Sequence, residues 1–70
     1  MTIVLHRHIR ELGYCNRGAR AFFVQHRLDW PAFLRGGISA EQLERTGDAM
    51  ALKAVERARA EQAERFGNGR

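Results

Sequence analysis

The sequence has one cysteine, one proline and one serine in 70 residues, and it contains no long apolar run. Because Cys15 is the lone cysteine, an intrachain disulfide is excluded and a reducing compartment is expected. No apolar run approaches the roughly 18 residues of a membrane-spanning helix, so we expect no membrane insertion. The apolar patch at residues 3–5 is also too short for a secretory signal, and the expected location is therefore the cytoplasm.

Patterns typical of metal sites and active sites are missing as well. The candidate soft metal ligands are His6, His8, Cys15 and His26. Their spacing matches neither C-x-x-C nor H-x-x-x-H, so we expect two exposed histidines (His6 and His8), a partly buried His26, a buried thiol and no metal or cofactor. Ser39 is better explained as a helix cap than as a nucleophile. A chain this short has little room for a pocket of even ~300 Å³, so we expect no enzyme activity.

Positive charge is concentrated in the first half of the chain. Residues 1–35 contain six arginines against two acids, whereas residues 36–70 contain six basic and six acidic residues. The whole net charge of +4 therefore lies in the first half. An uneven distribution of this kind indicates a surface for anionic partners on that half.

Apolar residues at helical spacing predict a helical chain. Leu5, Ile9 and Leu12 recur at i, i+4 and i+7 and form one stripe of a short first helix. No segment alternates convincingly with period 2, so no strand is predicted. The first four residues are left open as either a frayed helix start or a short extended arm.

The second predicted helix, residues 17–27, is amphipathic, with Asn16 as its N-cap. At about 100° per residue, its apolar residues cluster on one side. A second side carries an arginine stripe formed by Arg17, Arg20 and Arg27, with Val24 among them. This helix is therefore expected to pack on the core while presenting arginines to solvent.

Capping residues place the remaining helices. Asp29, followed by Pro31 in the first turn, begins a short third helix. Ser39 and Gln42 form the capping box S-x-x-Q of a fourth. Asp48 begins a fifth and longer helix. The expected inner face of this last helix consists of Ala51, Leu52, Val55 and Ala58.

These segments predict an all-α fold, a compact bundle of four to five short helices with a longer C-terminal helix. Residues 1–66 form a single helical domain in this prediction, and residues 67–70 form a disordered tail. The predicted core comprises Leu5, Ile9, Leu12, Phe22, Phe23, Leu28, Phe33, Leu34, Ile38, Leu43, Leu52 and Val55.

Residues 23–55 resemble the sterile alpha motif (SAM) family of helical interaction domains. The resemblance rests on an aromatic residue, a Leu-Asp pair, two further apolar residues, a capped helix and a glycine turn before a long helix. In this sequence these are Phe23, Leu28-Asp29, Phe33-Leu34, Ser39–Leu43 and Gly47. The resemblance covers about half of the chain and implies a SAM-like bundle.

The small size, the arginine-rich composition and two sequence strings are also similar to small proteins of bacteriophages and prophages. The strings are GYCNRGARAFF and TGDAMAL. This resemblance implies a phage-encoded protein whose partners are virion components or host proteins.

The expected function is protein–protein interaction through an aromatic and arginine-bearing surface. Large rings beside arginines are typical of interfaces. The candidate partner-binding residues are Tyr14, Arg17, Arg20, Arg27 and Trp30. Two alternatives stay open. The same arginines could bind the phosphates of DNA or RNA, and the last helix could pair with its own copy in a homodimer.

Overall fold

The computed structural model describes the backbone of residues 2–68 and the side chains of residues 2–64. Within this range, the chain forms five helices and two short strands, and the strands pair with each other antiparallel. The elements are β1 (Ile3–Val4), α1 (His6–Glu11), α2 (Asn16–Gln25), α3 (Trp30–Gly36), β2 (Ile38–Ser39), α4 (Ala40–Thr46) and α5 (Ala49–Asn68). The predicted all-α bundle with a longer last helix is confirmed. Residues 67 and 68 of the predicted tail belong to α5, and residues 69 and 70 lie outside the described residues.

The strand pair differs from the prediction of a chain without strands. Ile3 pairs with Ser39 and Val4 with Ile38, so the N-terminus is an extended arm, and Val4 is fully buried. Gly37 permits this approach. With a φ of 89°, a Cβ at Gly37 would lie 2.6 Å from Cγ2 of Ile3 and 2.7 Å from the carbonyl oxygen of Val4. Two-residue strands are too short to show an alternating pattern, which is why periodicity does not reveal them.

Three of the predicted helix caps are confirmed. Asp29 Oδ1 accepts the backbone N–H of Ala32 at 3.0 Å, and Ser39 Oγ accepts that of Gln42 at 3.4 Å. The return bond of the predicted capping box, from the Gln42 side chain to the Ser39 backbone, is not formed among the described residues. Asp48 Oδ1 accepts two backbone N–H groups at the start of α5, at 2.8 and 3.2 Å. Each cap satisfies backbone donors that have no partner within the helix, and the three caps fix where α3, α4 and α5 begin.

The predicted cap of α2 is wrong. Asn16 is the first residue of the helix, and Cys15 is the N-cap, with its Sγ accepting the N–H of Gly18 at 3.4 Å. The Asn16 side chain instead bonds to Nε2 of His6 across a 2.6 Å distance. Because the cap lies at the helix start on the surface, Cys15 is exposed and not buried as predicted. A tertiary contact with α1 therefore decides the role of Asn16.

The core forms around Phe23 and Phe33, whose ring centroids are 4.7 Å apart. Six predicted core residues are buried, namely Ile9, Phe23, Phe33, Ile38, Leu43 and Val55. Four more are half-buried, namely Leu5, Leu12, Phe22 and Leu28. Small residues complete the core where α5 packs against α4, and these are Ala40, Ala51, Ala54 and Ala58. The alanine face of α5 allows close helix packing without a large side chain.

Two predicted core residues are wrong. Leu34 is 49% exposed and Leu52 is 38% exposed. Each lies about 100° around its helix from a neighbouring buried residue, Phe33 or Ala51. Apolar character and helical spacing predict both leucines in the core, whereas the packing of α3 and α5 leaves them partly exposed.

Charged side chains join α1 to α5. Arg7 donates from both terminal nitrogens to the carboxylate of Glu61, and Arg57 Nε donates to Glu11 Oε1 at 3.0 Å. His8 was predicted to be exposed, but only 2% of its surface is accessible. We call this set the ionic seam, and it consists of Arg7, His8, Glu11, Arg57 and Glu61.

His8 is buried because both of its ring nitrogens face groups of the fold. Its Nδ1 accepts the backbone N–H of Leu5 at 2.9 Å, and this bond caps α1 from the third helical position. Its Nε2 lies 3.3 Å from Oε1 of Glu61, outside the geometry of a regular hydrogen bond. The cap requires this side chain to turn back towards β1, so it leaves the solvent side of α1.

Candidate protein-binding groove

An open groove with a volume of about 710 Å³ lies between the outward face of α2 and the neighbouring face of α3. Residues of α2 at i, i+4 and i+8 form one wall because they lie on one face of the helix. The α3 wall consists of Trp30 and Leu34, which are also four positions apart. The lining residues are Asn16, Arg17, Arg20, Ala21, Val24, Gln25, Trp30 and Leu34.

Trp30 forms the rigid part of the groove. Its ring is half-buried and packs against Phe23 and Phe33, with centroids 5.2 and 5.5 Å away, and against His6 at 6.0 Å. These edge-to-face and tilted arrangements are the favourable ones for aromatic pairs. The inner edge of the indole is therefore fixed by the core, while its other edge contributes to the groove.

Two aliphatic side chains in the groove remain accessible. Val24 is 69% exposed and Leu34 is 49% exposed, on opposite walls. Single exposed apolar residues are common on protein surfaces and need no explanation. Here two of them share one groove with a partly accessible Trp30. This combination is typical of the anchor region of a protein interface.

Arg17 and Arg20 give the groove its charge. Both are exposed, and among the side chains that the structure describes no carboxylate lies within ion-pair distance of either one. Each guanidinium presents a planar set of donors that matches the geometry of a carboxylate or phosphate. The groove is therefore positive, with apolar walls.

Three of the five predicted binding residues meet in this groove, namely Arg17, Arg20 and Trp30. Arg27 does not line it, because α2 ends at Gln25 and Arg27 adopts a left-handed turn with a φ of 57°. Tyr14 lies on the opposite side of α2, where it is half-buried against the core. The predicted arginine stripe is thus shortened to two residues in the groove.

Sequence reasoning missed the two aliphatic residues of the groove. The sequence predicts Leu34 in the core and places Val24 among the arginines without a role in binding. A weak signal was present, since Val24 follows Arg20 by four residues and hence shares its face. No local signal reports that Leu34 turns towards α2, because that depends on how α3 packs.

Metal chemistry receives no support from the described part of the chain. No group of three or more His, Cys, Asp or Glu side chains is close enough to hold an ion there. His6 is bonded to Asn16, and His26 stacks on Phe22 with centroids 4.4 Å apart.

Among residues 2–68, no helix is both long and apolar enough to cross a bilayer.

Comparison with protein-family models, with curated proteins and with solved structures finds no match to this chain.

Proposed function

We propose that the protein is a non-enzymatic interaction module that binds a segment of another protein in the α2–α3 groove. One observation carries the proposal. Val24 and Leu34 remain exposed beside Trp30, next to two arginines that have no carboxylate partner among the described side chains. A partner would bury the aliphatic side chains and supply the missing negative charge.

The groove selects the chemistry of this partner. An amphipathic segment with two or three apolar residues on one face would cover Val24, Trp30 and Leu34. Aspartate or glutamate on the flank of that segment would reach Arg17 and Arg20 as bidentate acceptors. We therefore propose that the partner is an acidic amphipathic segment of a virion or host protein.

Nucleic-acid binding is the second candidate, since Arg17 and Arg20 could also contact phosphates. Arg27, in the turn that follows α2, has no ion pair among the described side chains either. Phosphate contacts would leave Val24 and Leu34 exposed, so this candidate explains the charge of the groove but not its apolar walls. For this reason we favour the protein partner.

Selection of peptides from a random displayed library, followed by measured affinities, tests the proposal. We expect the selected peptides to have acidic residues beside apolar ones. Charge reversal by Arg17→Glu with Arg20→Glu should lower the affinity for the selected peptide by about 10-fold or more. The matched control is Arg10→Glu with Arg45→Glu, which makes the same charge change at exposed positions outside the groove. Equal losses in both variants would show non-specific charge attraction and contradict the proposal.

The apolar half of the groove is tested by Val24→Ser and Leu34→Ser. Each should weaken binding of the selected peptide by roughly 5- to 30-fold, because an apolar contact of about 1–2 kcal/mol is lost. Leu52→Ser provides the matched control, since Leu52 is similarly exposed but lies on α5, outside the groove. A peptide that tolerates both groove variants would not be bound by these walls.

Duplex DNA of mixed sequence, measured by fluorescence anisotropy at low and physiological salt, tests the second candidate. Phosphate binding should weaken linearly on a log–log plot against salt and be abolished by substituting Arg17, Arg20 and Arg27 with alanine. Binding with this signature, together with no selected peptide, would replace the protein partner by a nucleic acid.

A further inference from the structure

A second concave site lies on the other side of α2 from the groove. It is a partly open cavity of about 190 Å³ between α1, α2, α3, α4 and the start of α5. Small side chains create the space, since Gly18, Ala19, Ala51 and Ala54 all line it. Its aromatic walls are Tyr14, Phe22, Phe23 and Phe33. This site does not overlap the groove.

The lining offers almost no polar partner. Asp48 is its charged member, and its Oδ1 already accepts the N–H groups of Met50 and Ala51. The other polar groups are the hydroxyl of Tyr14 and the thiol of Cys15, whose sulfur caps α2. Water at the buried floor of such a cavity finds too few hydrogen-bond partners, because an ordered buried water needs two to four.

Size and shape then define a ligand class. An engineered apolar cavity of ~150 Å³ in another protein stays dry and binds benzene. The present cavity is somewhat larger and contains phenyl rings at different tilts, with Phe22 and Phe23 at 68° and centroids 6.1 Å apart. We propose that it binds a small, neutral, monocyclic aromatic molecule of about the size of toluene.

The arrangement of burial provides an entrance. Ile9, Phe33 and Leu43 at the floor are buried, whereas Cys15 and Met50 at the rim are exposed. Methionine has three rotatable bonds and repacks at low cost, so it can move aside and then cover a ligand. A ligand can therefore enter from solvent without unfolding of a helix.

The same lining predicts that the cavity binds neutral ligands more tightly than negatively charged ones. Benzoate has the ring of toluene with a carboxylate in place of the methyl group. No described cation lines the cavity to receive that carboxylate, and burial without a partner is costly. We expect the affinity for benzoate to be at least about 100-fold lower than that for toluene.

Nuclear magnetic resonance on the full chain with toluene as the probe tests the proposal. Saturable shifts, with cross-relaxation between toluene protons and the methyl groups of Ile9 and Leu43, are expected. Absence of saturable shifts at the solubility limit of toluene would overturn the proposal. So would cross-relaxation only with methyl groups outside the cavity, such as those of Val24.

A filling variant gives the second test. Ala19→Leu places a larger side chain in the cavity from a half-buried position and should reduce toluene affinity by more than 10-fold. Ala60→Leu makes the same change at an exposed position of α5 and should leave the affinity within 2-fold of the original. Undiminished binding by folded Ala19→Leu protein would overturn the proposal. If that variant does not fold, the cross-relaxation experiment on the unmodified chain decides.

Discussion

Arginines on two sides of the bundle have opposite surroundings. In the ionic seam, Arg7 donates to Glu61 and Arg57 donates to Glu11. In the groove, Arg17 and Arg20 have no carboxylate within ion-pair distance among the described side chains. The seam thus uses its positive charge within the fold, whereas the groove presents its charge to solvent. This difference separates arginines that hold helices together from arginines that are available to a partner.

The contrast originates in the sequence of the two helices. Residues 16–28 contain three arginines and no acidic residue, so α2 cannot pair its own charges at i, i+4. Residues 49–64 contain Glu56, Glu61 and Glu64 beside Lys53, Arg57 and Arg59. The fold brings this mixed helix against α1 and leaves α2 facing outward. The charge composition of a helix therefore contributes to whether its arginines form ion pairs within the fold or face solvent.

Val4 in the strand pair and Val24 in the groove show the same contrast in burial. On the closed side, which comprises the strand pair, α1 and α5, Val4 is fully buried. On the open side, Val24 and Leu34 remain exposed beside Trp30. Substitutions on the closed side should therefore change the free energy of unfolding, and substitutions in the groove should change binding.

The largest effect is expected for Gly37→Ala on the closed side. The new methyl group would approach Ile3, the carbonyl oxygen of Val4 and Leu5 to within 3 Å, at a φ of 89°. Backbone strain and overpacking together should lower the free energy of unfolding by about 2–5 kcal/mol, measured by urea denaturation. Gly36→Ala is the control, since nothing lies within 4 Å of its Cβ position, and it should be neutral or stabilising by up to ~1 kcal/mol.

His8→Ala should have the next largest effect. It removes a buried ring and the acceptor of the Leu5 N–H, at an expected cost of about 2–3 kcal/mol. Arg10→Ala, at an exposed position of the same helix, should stay within about 0.5 kcal/mol of the original protein. If both variants unfold at the same urea concentration, the closed side does not depend on its seam.

The helices and most of their starts could be predicted from the sequence because the signals are local. Asp29, Ser39 and Asp48 each cap a helix through groups two or three residues away. Capping depends on short-range geometry, so it can be identified without knowledge of the fold.

The groove could be predicted only in part. Arg17 and Arg20 share a face at i, i+3, which periodicity reveals, and Trp30 follows from its size and position. The outward turn of Leu34 and the burial of His8 depend on packing between helices distant in sequence. Cys15 replaces Asn16 as a cap because Asn16 bonds to His6, ten residues earlier. Such tertiary effects override local propensity and leave no local signal.

Glu61 in the ionic seam should make the stability of the protein depend on pH. Hydrogen bonds from Arg7, opposed by desolvation and assisted by His8, lower the pKa of Glu61 to about 2. The folded state therefore binds this proton less readily than the unfolded state, whose carboxyl pKa is near 4.5. The stabilisation is present above about pH 4.5 and is lost as the pH falls towards 2. Urea denaturation at several pH values should show a flatter acid limb for Glu61→Gln.

Glu56→Gln is the matched control for this experiment. It removes the same charge from an exposed position on α5 that has no ion pair among the described side chains. If the acid limb of the stability curve becomes equally flat in both variants, the pH dependence comes from net charge. It then does not come from the ion pairs of the seam.

The smallest effect on stability is expected in the groove. Arg17→Ala with Arg20→Ala removes two exposed charges, and alanine is at least as good a helix former as arginine. The free energy of unfolding should therefore stay within about 0.5 kcal/mol of the original value in urea denaturation. Affinity for a selected acidic peptide should nevertheless fall by about 10-fold or more. A loss of stability above ~1 kcal/mol would mean that these arginines support the fold, as those of the seam do. Unchanged stability with lost binding would show that the open side keeps its arginines for a partner.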